Sequence, residues 1–535
     1  MTDDSSARRA GRESLFVAAG TALSRLTGFA RVFVLAYAIG QSELADLYNL
    51  ANSAPNLVYE LVVGGVLSAT LVPLFVRART EHDDESTSVM LSVGFVASVV
   101  LSVVALAGTA VGEVVGRNVL SGPGHDAESL RKLEIIVDLL YLTFPQILFY
   151  AVTSLSTAYL NASRMYRTAA FAPVLTNLVS IVAFMIVGLR LQGEAAILDA
   201  TQRDLSTLLW LGLGTTAGVA AMSVPLMWAV RRGDIPIRFA PQFRHRAVRQ
   251  VVRLSGWTFG YVVANQLALL TVLVLLPDNK RYSDAFIFFQ LPHGLIAVSI
   301  MTTMTPELAS AAARSDYQAL ADRFGRGLRL LAALIVPAAI GYVLLATPIT
   351  SFLQRGNLTA EDARLTGRAV AAFAIGLPAF SAYLFACRGF YALSDTRTPF
   401  WLNAIENGIN LAGVVGLAIA GAATSTSFAL AYSVAYLLAA ALAIWRFERR
   451  LRELDGSVSL PPFAPIARMA VAALGMGVVV WLVRLVLHDD SGTGAVAAVM
   501  VGVLAGGVTY FALTLALGIE EAKMTLSAAR RRLRI

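Results

Sequence analysis

The chain has 535 residues, of which 57% are hydrophobic and only 15% charged, and its mean hydropathy of +0.66 excludes a soluble enzyme of this size. The net charge of +8 does not indicate a nucleic-acid binder, because the basic residues fall in short loops between apolar segments and not on one soluble face. A single cysteine, Cys387, lies in an apolar stretch, so a disulfide framework, a CxxC pair and a thiolate metal site are excluded.

The polar stretch Met1 to Arg12 runs into a first apolar segment that contains arginine and has no small-residue cleavage site, so a retained first helix is expected and not a signal peptide. Within that helix, Thr21 to Arg31 carries two arginines. One arginine near the centre of a lone spanning helix costs about 2.5 to 3.5 kcal/mol on insertion scales, so two need a watery surface and an anion. Arg25, Gly28 and Arg31 are spaced by three and form a slanted stripe, with glycine leaving a side-chain-free gap between guanidinium groups about 9 Å apart along the axis. Guanidinium grips phosphate through paired hydrogen bonds at any biological pH, and a diphosphate suits two of them. The bland reading is that both pair with acids such as Asp46 or Glu60, or reach an interface. Asp46 itself either caps the second helix or meets an arginine.

Spanning helices need about 20 apolar residues, and about fourteen stretches qualify: 14–39, 46–76, 89–111, 133–161, 169–189, 205–230, 251–276, 283–313, 327–352, 369–392, 399–420, 424–445, 466–487 and 494–517. Arginines gather at the N-terminus, in the loops after every even helix up to twelve and in the tail, while the opposite loops are sparsely basic apart from Arg131-Lys132, Lys280-Arg281 and Arg364. An even helix number with both termini cytoplasmic follows from the positive-inside rule. Pro55-Asn56 and Gly64-Gly65 are expected to bend helix two. From Phe239 to Leu254, apolar positions alternate with Arg244, Arg246, Arg249 and Arg253, the pattern of a helix lying at the inner interface.

Internal duplication shows in two places. Asp46, Pro55 and Pro73 around helix two echo Asp284, Pro292 and Pro306 around helix eight. With a shift of about 230 residues, Ala162, Arg167, Thr168 and Asn177 coincide with Ala392, Arg397, Thr398 and Asn407. The expected organisation is therefore an all-α polytopic membrane protein: an N-terminal lobe of helices one to six (1–230), a C-terminal lobe of the amphipathic linker and helices seven to twelve (231–447), and helices thirteen and fourteen with a basic tail (448–535).

Acids are rare inside these helices. Glu60, Asp138 and Glu406 stand out, and Glu406 has Asn403 and Asn410 at helical spacing, an oxygen-rich face suited to a proton or cation. There is no Walker loop, no HExxH and no histidine cluster, so an ATPase or other enzyme is not expected and no cofactor is implied; a metal is left open.

Ser24-Arg-Leu-Thr-Gly-Phe-Ala-Arg31, Ala45-Asp46, Pro55-Asn56-Leu57, Gly65 and Val72-Pro73 resemble the opening signature of the MurJ (MviN) family. The resemblance continues through Ala162 to Pro173, Gln290-Leu-Pro-His-Gly294, Leu353-Gln-Arg-Gly356, Gly389-Phe-Tyr391, Asp395 and Thr398-Pro399. It implies a flippase of the multidrug/oligosaccharidyl-lipid/polysaccharide exporter superfamily, with two lobes around a cationic cavity, in the bacterial cell membrane. The implied cargo is lipid II, the undecaprenyl-diphosphate-linked peptidoglycan precursor, moved to the outer leaflet for cell wall synthesis, and cell-wall synthesis proteins are implied as partners. By the same resemblance Arg25, Arg31 and Asp46 line the cavity, with Ser24, Gly28 and Asn56 beside them. The chain departs from the family at Tyr59-Glu60, where relatives carry two arginines, at Gly64, where they carry an acid, and near Ile287, where an arginine is expected. Those departures leave room for another polyprenyl-diphosphate-linked glycan. A cation-coupled multidrug exporter and a non-transporting scaffold also compete with the flippase, and paired arginines oppose the exporter, since cationic drugs prefer acidic and aromatic cavities.

Overall fold

The computed structural model describes the chain apart from residues 1, 60–70, 121–126, 164, 192–204, 234–237, 255, 352–357, 489–491 and 520–535. The expected bend at Gly64-Gly65, the acid Glu60 and the basic tail therefore lie outside the described residues. The described helices are α1 (Thr2–Ile39), α2 (Glu43–Tyr59), α3 (Val72–Thr80), α4 (Asp84–Leu120), α5 (Ala127–Thr143), α6 (Gln146–Ala162), α7 (Tyr166–Leu191), α8 (Leu205–Arg231) and α9 (Arg246–Leu254). They continue with α10 (Gly256–Leu275), α11 (Asn279–Pro292), α12 (Val298–Ala313), α13 (Tyr317–Ser351), α14 (Ala360–Ala392), α15 (Arg397–Ile419), α16 (Ser425–Leu454), α17 (Ala464–Val486) and α18 (Gly492–Ala516).

Eleven described helical spans are long and apolar enough to cross a membrane by length and composition, α5 with α6 and α11 with α12 each making one. The three other expected stretches coincide with α1, with α2 followed by α3, and with α10, whose apolar part runs over Gly260–Leu275. Proline accounts for two interruptions. Pro145 cannot donate an amide, and α5 gives way to α6 there. Pro292 ends α11, and a π-helical turn, His293–Ala297, leads into α12.

The chain forms two compact units, Met1–Leu270 with Gly356–Leu358, and Thr271–Arg355 with Thr359–Ile535. In the first, α1 and α7 run in the same direction, since Gly20 meets Ala170, Gly28 meets Asn177, and Gly188 meets Tyr37 and Ala38. Small residues permit this close approach, and packing takes the place of the hydrophobic force that lipid removes. In the second, α17 and α18 pack on α13: Met476 and Val480 cluster with Leu345, and the Tyr510 hydroxyl donates to the Ala333 carbonyl at 2.8 Å.

Two pairs of helix ends have similar backbone turns. After α6, the Met165 N–H donates to the Leu160 carbonyl at 2.8 Å; after α14, the Asp395 N–H donates to the Phe390 carbonyl at 3.0 Å, the same bond shifted by 230 residues. A second pair of turns matches as well. His82 (φ 53°) and Ser315 (φ 56°) are left-handed residues that follow α3 and α12, and each precedes an aspartate that starts the next helix. Asp83 accepts from the Ser86 N–H at 2.9 Å and Asp316 from the Ala319 N–H at 3.0 Å.

Side chains that broke the charge rule are largely neutralised, Lys132, Lys280 and Arg364 each pairing with an acid on its own helix. Lys132 meets Glu43 and Glu128, Lys280 meets Asp284, and Arg364 meets Glu361, while Arg281 bridges Asp278 and Asp362. The surface segment departs from expectation in one respect. Helix starts only at Arg246, because residues 238–240 lie along α4 with their amides committed to it: the Arg238 N–H donates to Ser88 Oγ (3.2 Å) and the Ala240 N–H to Ser92 Oγ (2.9 Å).

Candidate functional site

The first unit positions the arginine stripe. Asn177 of α7, 7% exposed, uses its side-chain amide to donate to the Ser24 carbonyl and to Thr27 Oγ1, both at 3.0 Å. A Cβ on Gly28 would sit 3.4 Å from the same amide. Ser24 and Gly28 thus belong to the seam between α1 and α7, and the open side of Gly28 is filled by Asn177. Arg25 and Arg31 remain half-buried, about 120° apart around the helix, and among the described residues neither is paired with an acid. Arg31 lies within electrostatic reach of the hydroxyls of Tyr48 on α2 and Tyr150 on α6.

Asp46 is relieved of the capping task. Ser42 Oγ accepts from the Ala45 N–H at 3.3 Å and donates to the Ile39 carbonyl at 2.7 Å, so it is Ser42 that closes the turn between α1 and α2. Half-buried in the first turn, Asp46 places its charge at the positive end of α2. Asn56 is exposed beside buried Pro55. Of the positions where the family arginines are expected, Ile287 is half-buried on α11 and Glu60 is outside the described residues.

Sequence reasoning missed a polar cluster in the same unit. Gln146, fully buried at the start of α6, points its amide nitrogen at Asn52 Oδ1 (3.5 Å), Thr215 Oγ1 (3.4 Å) and Thr216 Oγ1 (3.1 Å). The threonine hydroxyls donate to the Leu211 and Leu142 carbonyls, which fixes which end of the amide faces them. Tyr48 meets Thr215 in turn, so this network braces the tyrosine next to Arg31. Its signal was Phe144-Pro145-Gln146, a proline and an amide inside an apolar stretch.

The second unit holds the other candidate group. Asn403 (1% exposed), Glu406 (1%) and Asn410 (4%) line one buried face of α15, and the Asn407 amide donates to the Asn403 carbonyl at 3.0 Å. The Glu406 carboxyl lies against the Tyr436 hydroxyl and near Tyr282; Glu406 Oε2 and Asn410 Oδ1 have no hydrogen-bond partner among the described residues. Aromatic rings surround this face, with Tyr282 on Phe373 (5.0 Å), Phe380 on Tyr436 (4.9 Å) and Tyr432 on Tyr436 (4.7 Å) between centroids. Such an arrangement can hold a proton or a small cation without a soft ligand set. Among the described residues no group of three or more His, Cys, Asp or Glu side chains could hold a metal ion.

Eleven helical stretches long and apolar enough to cross a membrane define the class of a polytopic membrane protein, and solved structures share the fold. "Lipid II flippase MurJ, inward closed conformation" superposes with a TM-score of 0.71 at 20% identity, covering 94% of this chain and 99% of that one. An inward-facing multidrug resistance MATE family transporter of the MOP superfamily gives 0.63 at 10% identity, covering 81% and 96%. The family model "Lipid II flippase MurJ" matches residues 35–502, and the chain belongs to that family. "Probable lipid II flippase MurJ" of Rhizobium meliloti (strain 1021) is 26% identical over 96% of this chain and 95% of its own length. "Lipid II flippase MurJ" of Burkholderia cenocepacia is 29% identical over 72% and 74%.

Proposed function

We propose that this protein is a flippase that carries lipid II from the cytoplasmic to the outer leaflet of the bacterial cell membrane by alternating access, with both termini in the cytoplasm. The observation that carries the reading is the pair of half-buried guanidiniums in α1 that no acid among the described residues pairs with, in a chain of the MurJ family. A diphosphate-sugar headgroup cannot cross hydrocarbon unaided, and a polar cleft replaces its water. Arg25 and Arg31 precede the span matched by the family model, so their role rests on geometry: a half-buried charge that no described acid pairs with is poised for an anion from outside the chain. Ser24 and Gly28 serve the same site by holding α1 against α7, with Asp46 and Asn56 nearby on α2.

Energy enters through membrane potential or a coupled cation, and the buried face of Glu406, Asn403 and Asn410 is where a proton or cation would bind. Depletion of the protein with a leaflet-accessibility assay for lipid II tests the activity. Lipid II should vanish from the outer leaflet and accumulate inside, and unchanged outer-leaflet lipid II would sink the reading.

A further inference from the structure

The surface segment between α8 and α10 has a face that the transport reading leaves unused. One side of it is fastened to the first unit. The Arg238 and Ala240 amides are tied to Ser88 and Ser92, Arg246 Nη2 meets Asp83 Oδ2 at 2.6 Å, and Ala247, 6% exposed, joins the core formed by Leu74, Phe75, Met90 and Val230. Hydrogen bonds from the Ser86 N–H, and the Arg246 guanidinium, hold the Asp83 carboxyl below the usual aspartate range. The other side is turned outward and combines exposed Phe239 (69%), Phe243 (55%) and Val252 (69%) with exposed Arg238, Arg244 and Arg249.

Such interleaving suits a bilayer surface better than a soluble partner. Aromatic and aliphatic side chains enter the headgroup boundary, while guanidiniums meet phosphate oxygens there. The location agrees: the segment begins just after the spanning helix α8 and ends just before apolar α10, so it is tethered at membrane level on both sides. Arg232, at the end of α8, stacks on Trp228 with 3.7 Å from guanidinium to ring centroid, an aromatic-arginine pair typical of that boundary.

We infer that residues 238–252 form a binding surface for anionic phospholipid headgroups, with Arg244 and Arg249 contacting phosphate and Phe239 and Phe243 anchoring among the acyl chains. The segment is fastened to α4 by the Ser88 and Ser92 hydroxyls, so it presents a cationic patch on that helix. The ligand is a lipid phosphate of the surrounding leaflet, and not the transported headgroup.

The test is titration of full-length protein in non-ionic detergent with fluorescent phosphatidylglycerol and, separately, fluorescent phosphatidylcholine. Wild type should bind the anionic lipid the more tightly, and the R244Q/R249Q variant should lose that preference by about fivefold or more, a loss of about one charge contact or more. An R449Q control, altering an exposed arginine of α16 paired with Glu453, should leave it unchanged. Inorganic phosphate at the same concentration should not compete, which separates a lipid site from a free-phosphate site. Equal affinity for the two lipids, or unchanged phosphatidylglycerol binding by R244Q/R249Q in a variant that elutes as a monodisperse peak, would overturn the proposal. So would binding of a mixed-sequence oligonucleotide as tight as that of phosphatidylglycerol and lost in the same variant, since the patch would then be a general polyanion surface. Lipid binding is read without transport, so it stands or falls separately from the flippase reading.

Discussion

Asn177 sets the position of α1 at the level of the arginines, since a single side-chain amide ties Ser24 and Thr27 to α7. Hydrogen bonds between spanning helices contribute modestly, about 0.6 kcal/mol each on average. Asn177→Leu is therefore expected to lower stability by about 1 kcal/mol, seen as a thermal shift of a few degrees in detergent. Gly28→Ala fits the 3.4 Å gap to that amide and should retain full transport, whereas Gly28→Leu must push α7 away and should unfold at lower temperature. Glu406 poses a separate question at this scale. If its carboxyl, lying 1% exposed against Tyr436, binds the coupling ion, Glu406→Gln will abolish the sodium or proton dependence of lipid II transport. Transport unaffected by either ion in wild type would remove that site.

Helices and their joints carry the next level. The expected apolar stretches mostly coincide with helix where the chain is described, and eleven helical spans are long and apolar enough to cross, because twenty-residue apolar runs have few alternatives in a bilayer. Proline positions were legible too, but which proline would break a helix was not: Pro145 and Pro292 stand at interruptions, while Pro173 and Pro225 stay inside α7 and α8. That distinction depends on what the neighbouring helices supply to the freed carbonyls. α11 offers an energetic test, since its Lys280 and Asp284 form a buried ion pair, each side chain 3% exposed. Removing the carboxylate takes the ion-pair partner from a buried lysine, so Asp284→Ala should destabilise by about 3 kcal/mol. Lys280→Met with Asp284→Leu removes both charges and should recover most of the loss in the same thermal-unfolding measurement.

At the scale of the whole molecule, the sequence carried the class, and the structure supplied the reasons. Four identities at a shift of 230 residues pointed to two halves; the amide-carbonyl bonds after α6 and α14, and the left-handed turns at His82 and Ser315, are alike as backbone geometry. The arginine stripe was legible because charge in an apolar helix is conspicuous. The bracing around it was not, since Gln146, Thr215 and Asn177 lie far apart in sequence and only tertiary packing joins them to Tyr48 and α1. The start of the surface helix was missed for a related reason: amides at 238 and 240 are taken by serines of α4, a contact that periodicity does not encode.

The central claim, that Arg25 and Arg31 hold the diphosphate during transport, is tested most directly by complementation of depleted cells with arginine variants, read by outer-leaflet accessibility of lipid II. Arg25→Ala and Arg31→Ala, at wild-type membrane levels, should each reduce transport at least about tenfold, the worth of one charge-assisted contact. Lysine at either position should restore part of it, since charge survives while paired hydrogen bonding is lost. Outer-leaflet lipid II at the wild-type level in the Arg25→Ala/Arg31→Ala double variant would contradict the account.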